Sequence, residues 1–230
     1  MTAPRGPIEE QEWPAELAAH VVTPGARPRV HGYDVEGELA AGGSVTEMAL
    51  LALTGELPAR AALEAVDVAL QFAAAVSVAE APVHAAVLGR LSGANTGSVV
   101  SIAAIGLAEQ ARDALEALGD WPFALATHSN ATPPDAALAR DDDERAAVDR
   151  LRTLVEVTGL SVPALSRGVG RSAAITAVLV AARVRTPEAL VALLVMSRLP
   201  AAVAEASCVK AGDFRSYPMN TPVFEYEARR

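Results

Sequence analysis

The chain has 230 residues, enough for one domain or a main domain with a lobe; 51% are hydrophobic and only 4% aromatic. A formal charge of −9 argues against a surface built to hold nucleic acid or an anionic membrane, since both need clustered Lys and Arg. Cys208 is the only cysteine, which rules out an internal disulfide and a thiolate metal cluster.

Residues 1–10 carry Pro4, Pro7, Glu9 and Glu10 and no apolar stretch resembling a signal peptide, so the expected location is the cytoplasm. Residues 1–30 read as extended. The first firm helix opens at Ser44, where Ser44-Val45-Thr46-Glu47 is a capping box, and it stops at Gly55 and Pro58. A second helix is expected from about residue 59 to 78, with Glu64 and Asp67 on one face and Leu63, Val66 and Leu70 on another. A short helix over 85–91, a small-residue stretch, and a helix from Ser98 to about Leu118 follow.

Residues 119–142 break the pattern with Gly119, Pro122, Asn130, Pro133 and Pro134. The acidic run 141–144 has the composition of a metal site, but acids also suit the first turn of a helix, here 145–157, and that reading is preferred. Gly168-Val169-Gly170-Arg171-Ser172-Ala173 fits G-x-G-x-x-A, yet a dinucleotide site needs a strand before it; a loop capping a core helix fits better. Uncharged apolar runs such as 172–182 are too short to span a bilayer and read as core helices. Thr186-Pro187-Glu188 starts another helix, expected to reach about Ser197. Residues 211–230 read as a docking tail. No repeat and no strand alternation is visible, so the fold class is all-α.

Several stretches together resemble citrate synthases. Val30-His31-Gly32-Tyr33-Asp34-Val35, then 44–53, then Gly55-Glu56-Leu57-Pro58 are similar to that family's opening R-G-Y-D-I element, helix and G-E-L-P. Gly89-Arg90 through Ile105 resembles the A-R helix and the small-residue helix after it. Residues 186–200, ending in Met196-Ser197-Arg198-Leu199-Pro200, resemble the helix and S-R or A-R-x-P segment that close the large domain. The resemblance implies a citrate-synthase-like multi-helical bundle, with residues 1–111 and 173–230 as the large domain and 112–172 as a reduced small domain. It also implies a homodimer. Its chemistry joins an acyl-CoA to a 2-oxo acid or cleaves citryl-CoA, so a coenzyme A thioester is the implied substrate and no cofactor is covalently bound. One His and one Asp enolise the thioester, a second His polarises the ketone, and arginines clamp carboxylates.

Position by position, the family's G-P-L-H-G-G-A-N element falls on residues 109–116, which hold no histidine; its catalytic Asp falls near Ala173, and a substrate-binding His falls on Glu80. His128 matches the ketone-polarising His. Asp135, seven residues later, keeps the family's H-to-D-P-R spacing, while Asp143-Glu144-Arg145-Ala146 matches the D-P-R-A text. The resemblance thus assigns catalysis to His128 and Asp135 and substrate binding to Glu80, Arg145, Arg198 and Arg215. The competing reading keeps these arginines at helix ends, paired with the acids that this chain has in excess. Two functions follow: an acyltransferase or lyase binding an acyl-CoA and a di- or tricarboxylate, or a non-catalytic homologue that binds a ligand or pairs with a relative.

Overall fold

The computed structural model describes residues 18–126 and 131–212. The chain divides into two compact units, Met1–Leu57 and Pro58–Arg230.

In the first unit, β1 (Val22–Thr23), β2 (Arg29–Val30) and β3 (Tyr33–Asp34) form a small antiparallel sheet in that order. The sequence does not announce it, because two-residue strands are too short to carry an alternation. The β2–β3 turn is His31-Gly32, with φ of 47° and 90°, between the paired Val30 and Tyr33. Two positive φ values match the type I′ turn that follows strand twist. The Asp34 carboxylate then accepts from the N–H groups of Glu36 (3.0 Å) and Gly37 (2.9 Å), capping a π-helical turn, Val35–Leu39. A single turn, α1 (Ala40–Gly42), leads into α2 (Val45–Thr54). Ser44 Oγ caps α2 by accepting from Glu47 N–H at 3.1 Å, and Gly55 ends it in the left-handed conformation (φ 79°), both as expected from sequence.

The second unit is a helical bundle: α3 (Arg60–Ala74), α4 (Ala81–Leu91), α5 (Thr96–Leu118), α6 (Trp121–Ala124), α7 (Asp142–Thr158), α8 (Arg171–Ala181) and α9 (Pro187–Ser207). Helix α8 is buried from Ala173 to Val180 and packs on α3, α6 and α7. A helix apolar on every side is stable only when other helices surround it. Its one buried hydroxyl, Thr176, is satisfied by the Ser172 carbonyl at 2.8 Å.

Helices α4, α5 and α9 share a core of Val83, Ala86, Val99, Ala103, Leu107, Ala202 and Ala206. Small residues set the spacing here. A Cβ on Gly106 of α5 would lie 3.0 Å from Pro82 Cβ and 3.1 Å from Pro82 Cα on α4. Gly106→Val is therefore expected to cost about 1–3 kcal/mol by overpacking, read as a shifted urea midpoint with an unchanged slope.

Helix α9 departs from expectation. Thr186 caps it as foreseen, accepting from Ala189 N–H at 3.3 Å, but the helix runs through Pro200 to Ser207 instead of ending near Ser197. An interior proline costs about 3 kcal/mol. The complete burial of Ala202 and Ala206 between α4 and α5 lies on the far side of it, and that packing holds the last two turns. By length and composition α9 is apolar enough to cross a membrane, which no uninterrupted uncharged run in the sequence suggests. Here it packs along α3, α4 and α5 and carries Arg198 among them.

Candidate functional site

Four helices converge on a cavity of about 350 Å³ in the second unit. Phe72 and Ala73 come from the C-terminal end of α3, Gln110 and Leu115 from α5, Ile175 from α8, and Leu194 and Arg198 from α9. Glu80, the residue before α4, completes the polar part, with Arg171 and Ser172 of α8's first turn at the rim.

The polar part is a closed triangle. Arg198 Nη2 donates to Glu80 Oε2 at 2.5 Å and Nη1 donates to Gln110 Oε1 at 2.8 Å. Gln110 Nε2 donates to the same Glu80 Oε2 at 3.0 Å. Glu80 Oε1 accepts from Ser77 N–H at 3.0 Å, so both carboxylate oxygens are engaged. The Arg198 and Glu80 side chains are 16% and 29% exposed, so the pair is largely withdrawn from water. Burial pushes the Glu80 carboxyl up; the Ser77 N–H, the Gln110 amide and the charge and hydrogen bond of Arg198 outweigh it, leaving the group below its ordinary value. Glu80 is thus held ionised.

A second carboxylate occupies the N-terminus of α8. Asp141 caps α7, accepting from Glu144 N–H at 2.8 Å, which leaves the Glu144 side chain aimed across at α8. Glu144 Oε1 accepts from Arg171 N–H at 2.9 Å and Oε2 from Arg140 N–H at 2.9 Å. Gly170 makes room for it, since a Cβ there would lie 2.7 Å from Glu144 Oε1. The acidic run therefore opens α7, as read from sequence, three residues before the expected 145; that Glu144 also holds the first turn of α8 was not legible there. Among the described residues no group of three His, Cys, Asp or Glu side chains is placed to hold a metal ion.

Of the six residues singled out from sequence, Glu80 and Arg198 meet in this cavity. Asp135 does not line it: it is the exposed first residue of the turn Asp135–Ala137, whose buried Ala137 is tied to the strand-like segment before α8 by Gly170 N–H donating to the Ala137 carbonyl at 2.7 Å. Arg145 is 53% exposed and pairs with Asp142 at 2.8 Å on its own helix, also away from the cavity. That placement fits the reading in which Arg145 answers a local acid. His128 and Arg215 lie outside the described residues. Ala173, where the resemblance puts a catalytic Asp, is buried in α8. Sequence reading missed Gln110, Arg171 and Ser172. Gln110 had a usable signal, because it falls within the 109–116 segment where the family carries its histidine.

No family model matches the chain, and no curated protein matches it in sequence. Solved structures do. The chain is similar to citryl-CoA lyase from Hydrogenobacter thermophilus with a TM-score of 0.68 at 13% identity, over 93% of this chain and 96% of that one. It is similar to ATP citrate lyase from Methanosaeta concilii in complex with (3S)-citryl-CoA (TM-score 0.66, 10% identity, 93% of this chain and 43% of that chain). ATP citrate lyase from Methanothrix soehngenii, in complex with citrate and coenzyme A, gives 0.59 at 10% identity over 99% of this chain and 46% of that chain. The chain spans less than half the length of those two ATP citrate lyases and nearly all of the citryl-CoA lyase. Its fold is citrate-synthase-like.

Proposed function

We propose that this chain binds a small organic acid, or the acyl end of its coenzyme A thioester, in the cavity around Arg198, and that it does not condense or cleave C–C bonds there. The observation that carries this reading is the Glu80–Gln110–Arg198 triangle. Removing a proton beside a thioester calls for a positioned base with a pKa near the working pH. Among the described residues Glu80 is the only carboxylate lining the cavity, its pKa is lowered, and both its oxygens are engaged. No histidine, cysteine or aspartate lines the cavity among the described residues. Citryl-CoA, citrate and coenzyme A in the complexes of similar fold support the ligand class. Calorimetric titration of the whole chain with citrate, oxaloacetate, short monocarboxylates and acetyl-CoA tests it. Binding by at least one, with no citryl-CoA consumed or formed in a coupled chromatographic assay, is expected. Turnover near one per second would instead favour a lyase that draws its acid–base group from His128.

Pairing with a second copy belongs to the same proposal. Ile105 of α5 is 65% exposed, and Val191 and Met196 of α9 are only partly buried. Obligate interfaces resemble a domain core cut in two, and these faces have that composition. Light scattering at micromolar concentration is expected to return twice 23.7 kDa. A particle of 23.7 kDa would dismiss the homodimer.

A further inference from the structure

The charges that line the cavity restrict what it accepts. In a site built to clamp several carboxylates, arginines and helix N-termini face the ligand with their donors free. Here internal carboxylates have taken Arg198 and the first turn of α8. Glu80 neutralises Arg198, and Gln110 takes the second arm of the guanidinium. Glu144 occupies the first turn of α8. Of the charged side chains that line the cavity, Arg171 remains, and it makes no ion pair among the described residues. The other walls are apolar: Phe72, Ala73, Leu115, Ile175 and Leu194. The lining thus offers at the rim one guanidinium without an ion pair among the described residues, next to the Glu144 carboxylate held by the Arg171 N–H, and a hydrocarbon interior behind it.

We propose that the cavity takes a singly charged organic acid with an apolar chain, its carboxylate at Arg171 beside the Ser172 hydroxyl, and rejects di- and tricarboxylates. This rests on the reading that the cavity binds an organic acid, and it narrows the class. A second or third carboxylate would have to lie against Phe72, Ile175 or Leu194, or beside Glu80, and either place leaves an anion desolvated without a partner. An aliphatic chain loses nothing there, and each buried CH₂ adds to affinity.

The test uses the whole chain and sodium salts at ionic strength matched with NaCl, followed by calorimetry and thermal shift. Hexanoate is expected to bind and to raise the melting temperature. Acetate, with the same charge and no chain, is expected to bind roughly a hundredfold more weakly. Citrate is expected to act no differently from NaCl. Arg171→Gln is expected to weaken hexanoate roughly tenfold or more while the ligand-free melting temperature stays put, since the residue is exposed and its side chain makes no ion pair among the described residues. Glu80→Gln frees Arg198 and is expected to confer a citrate response; if that variant fails to fold, the Arg171→Gln arm decides alone. Citrate binding to the wild type while hexanoate does not would overturn the proposal and leave the organic-acid reading standing. Equal binding of acetate and hexanoate, or full hexanoate binding by Arg171→Gln, also overturns it. Binding by none of the acids removes both.

Discussion

Leu179→Ala is expected to lower the free energy of unfolding by about 3–5 kcal/mol, near the top of the range for a buried leucine. Leu179 is fully buried in α8, whose flanking residues Val178 and Val180 are buried too. The cost of such a truncation depends on how far the surroundings collapse into the space left behind. Collapse is hard here, because α8 is held on separate sides by α3, α6 and α7. On the same face of the helix Thr176 and Ala182 are too short to reach into the void, and only the β-branched Ile175 borders it. Urea denaturation by circular dichroism measures the loss. A cost below about 1.5 kcal/mol would show that this core tolerates rearrangement and lacks the close packing described above.

Arg198→Ala is the second large expected effect, about 2–3 kcal/mol. Breaking a buried pair by removing one partner costs about 3–5 kcal/mol, because the surviving charge stays desolvated. The lower figure reflects the water that still reaches both side chains. The penalty arises from Glu80, so Arg198→Ala combined with Glu80→Gln is expected to recover part of it; strict additivity would mean that the two residues do not interact. Arg198→Lys should fall between wild type and Arg198→Ala, since one ammonium cannot reproduce the planar fork that reaches Glu80 and Gln110 together. Acid provides an independent check. The folded-state pKa of Glu80 lies below its ordinary 4.5, so the pair's contribution is complete above about 4.5 and fades as pH falls through the lowered value. The stability gap between wild type and Arg198→Ala should narrow over that acid range. A gap that stays constant down to pH 3 or so would assign the loss to packing of the arginine stem instead.

Local signals were legible in the sequence wherever the chemistry is local. Ser44 and Gly55 bound α2 and Thr186 starts α9, because a cap needs only the few residues beside it, and the acidic run marks the start of α7 to within a turn. The triangle was partly legible. Glu80 and Arg198 were found through resemblance and not through pattern, as they are 118 residues apart. Gln110 was passed over because a glutamine standing where a histidine is expected reads as a loss, although it is the residue that joins the other two. Helix α9 ran past Pro200 because tertiary burial of Ala202 and Ala206 outweighs a local propensity. The β2–β3 hairpin went unseen because its strands offer no period to detect, and positive φ at His31 is not written in the residue type.

The order in which the helices pack has a consequence for synthesis of the chain. The principal partners of α8 are α3, α6 and α7, all of which precede it, so its buried apolar stretch meets a waiting binding site as it leaves the ribosome. The α4–α5 pair is in the opposite position. Its apolar seam is completed by Ala202 and Ala206 near the end of α9, and stays open to solvent until most of the chain has been translated. Nascent chains halted between α5 and α9 should therefore recruit chaperones through the open α4–α5 seam, and not through α8, whose partners are already made when it emerges.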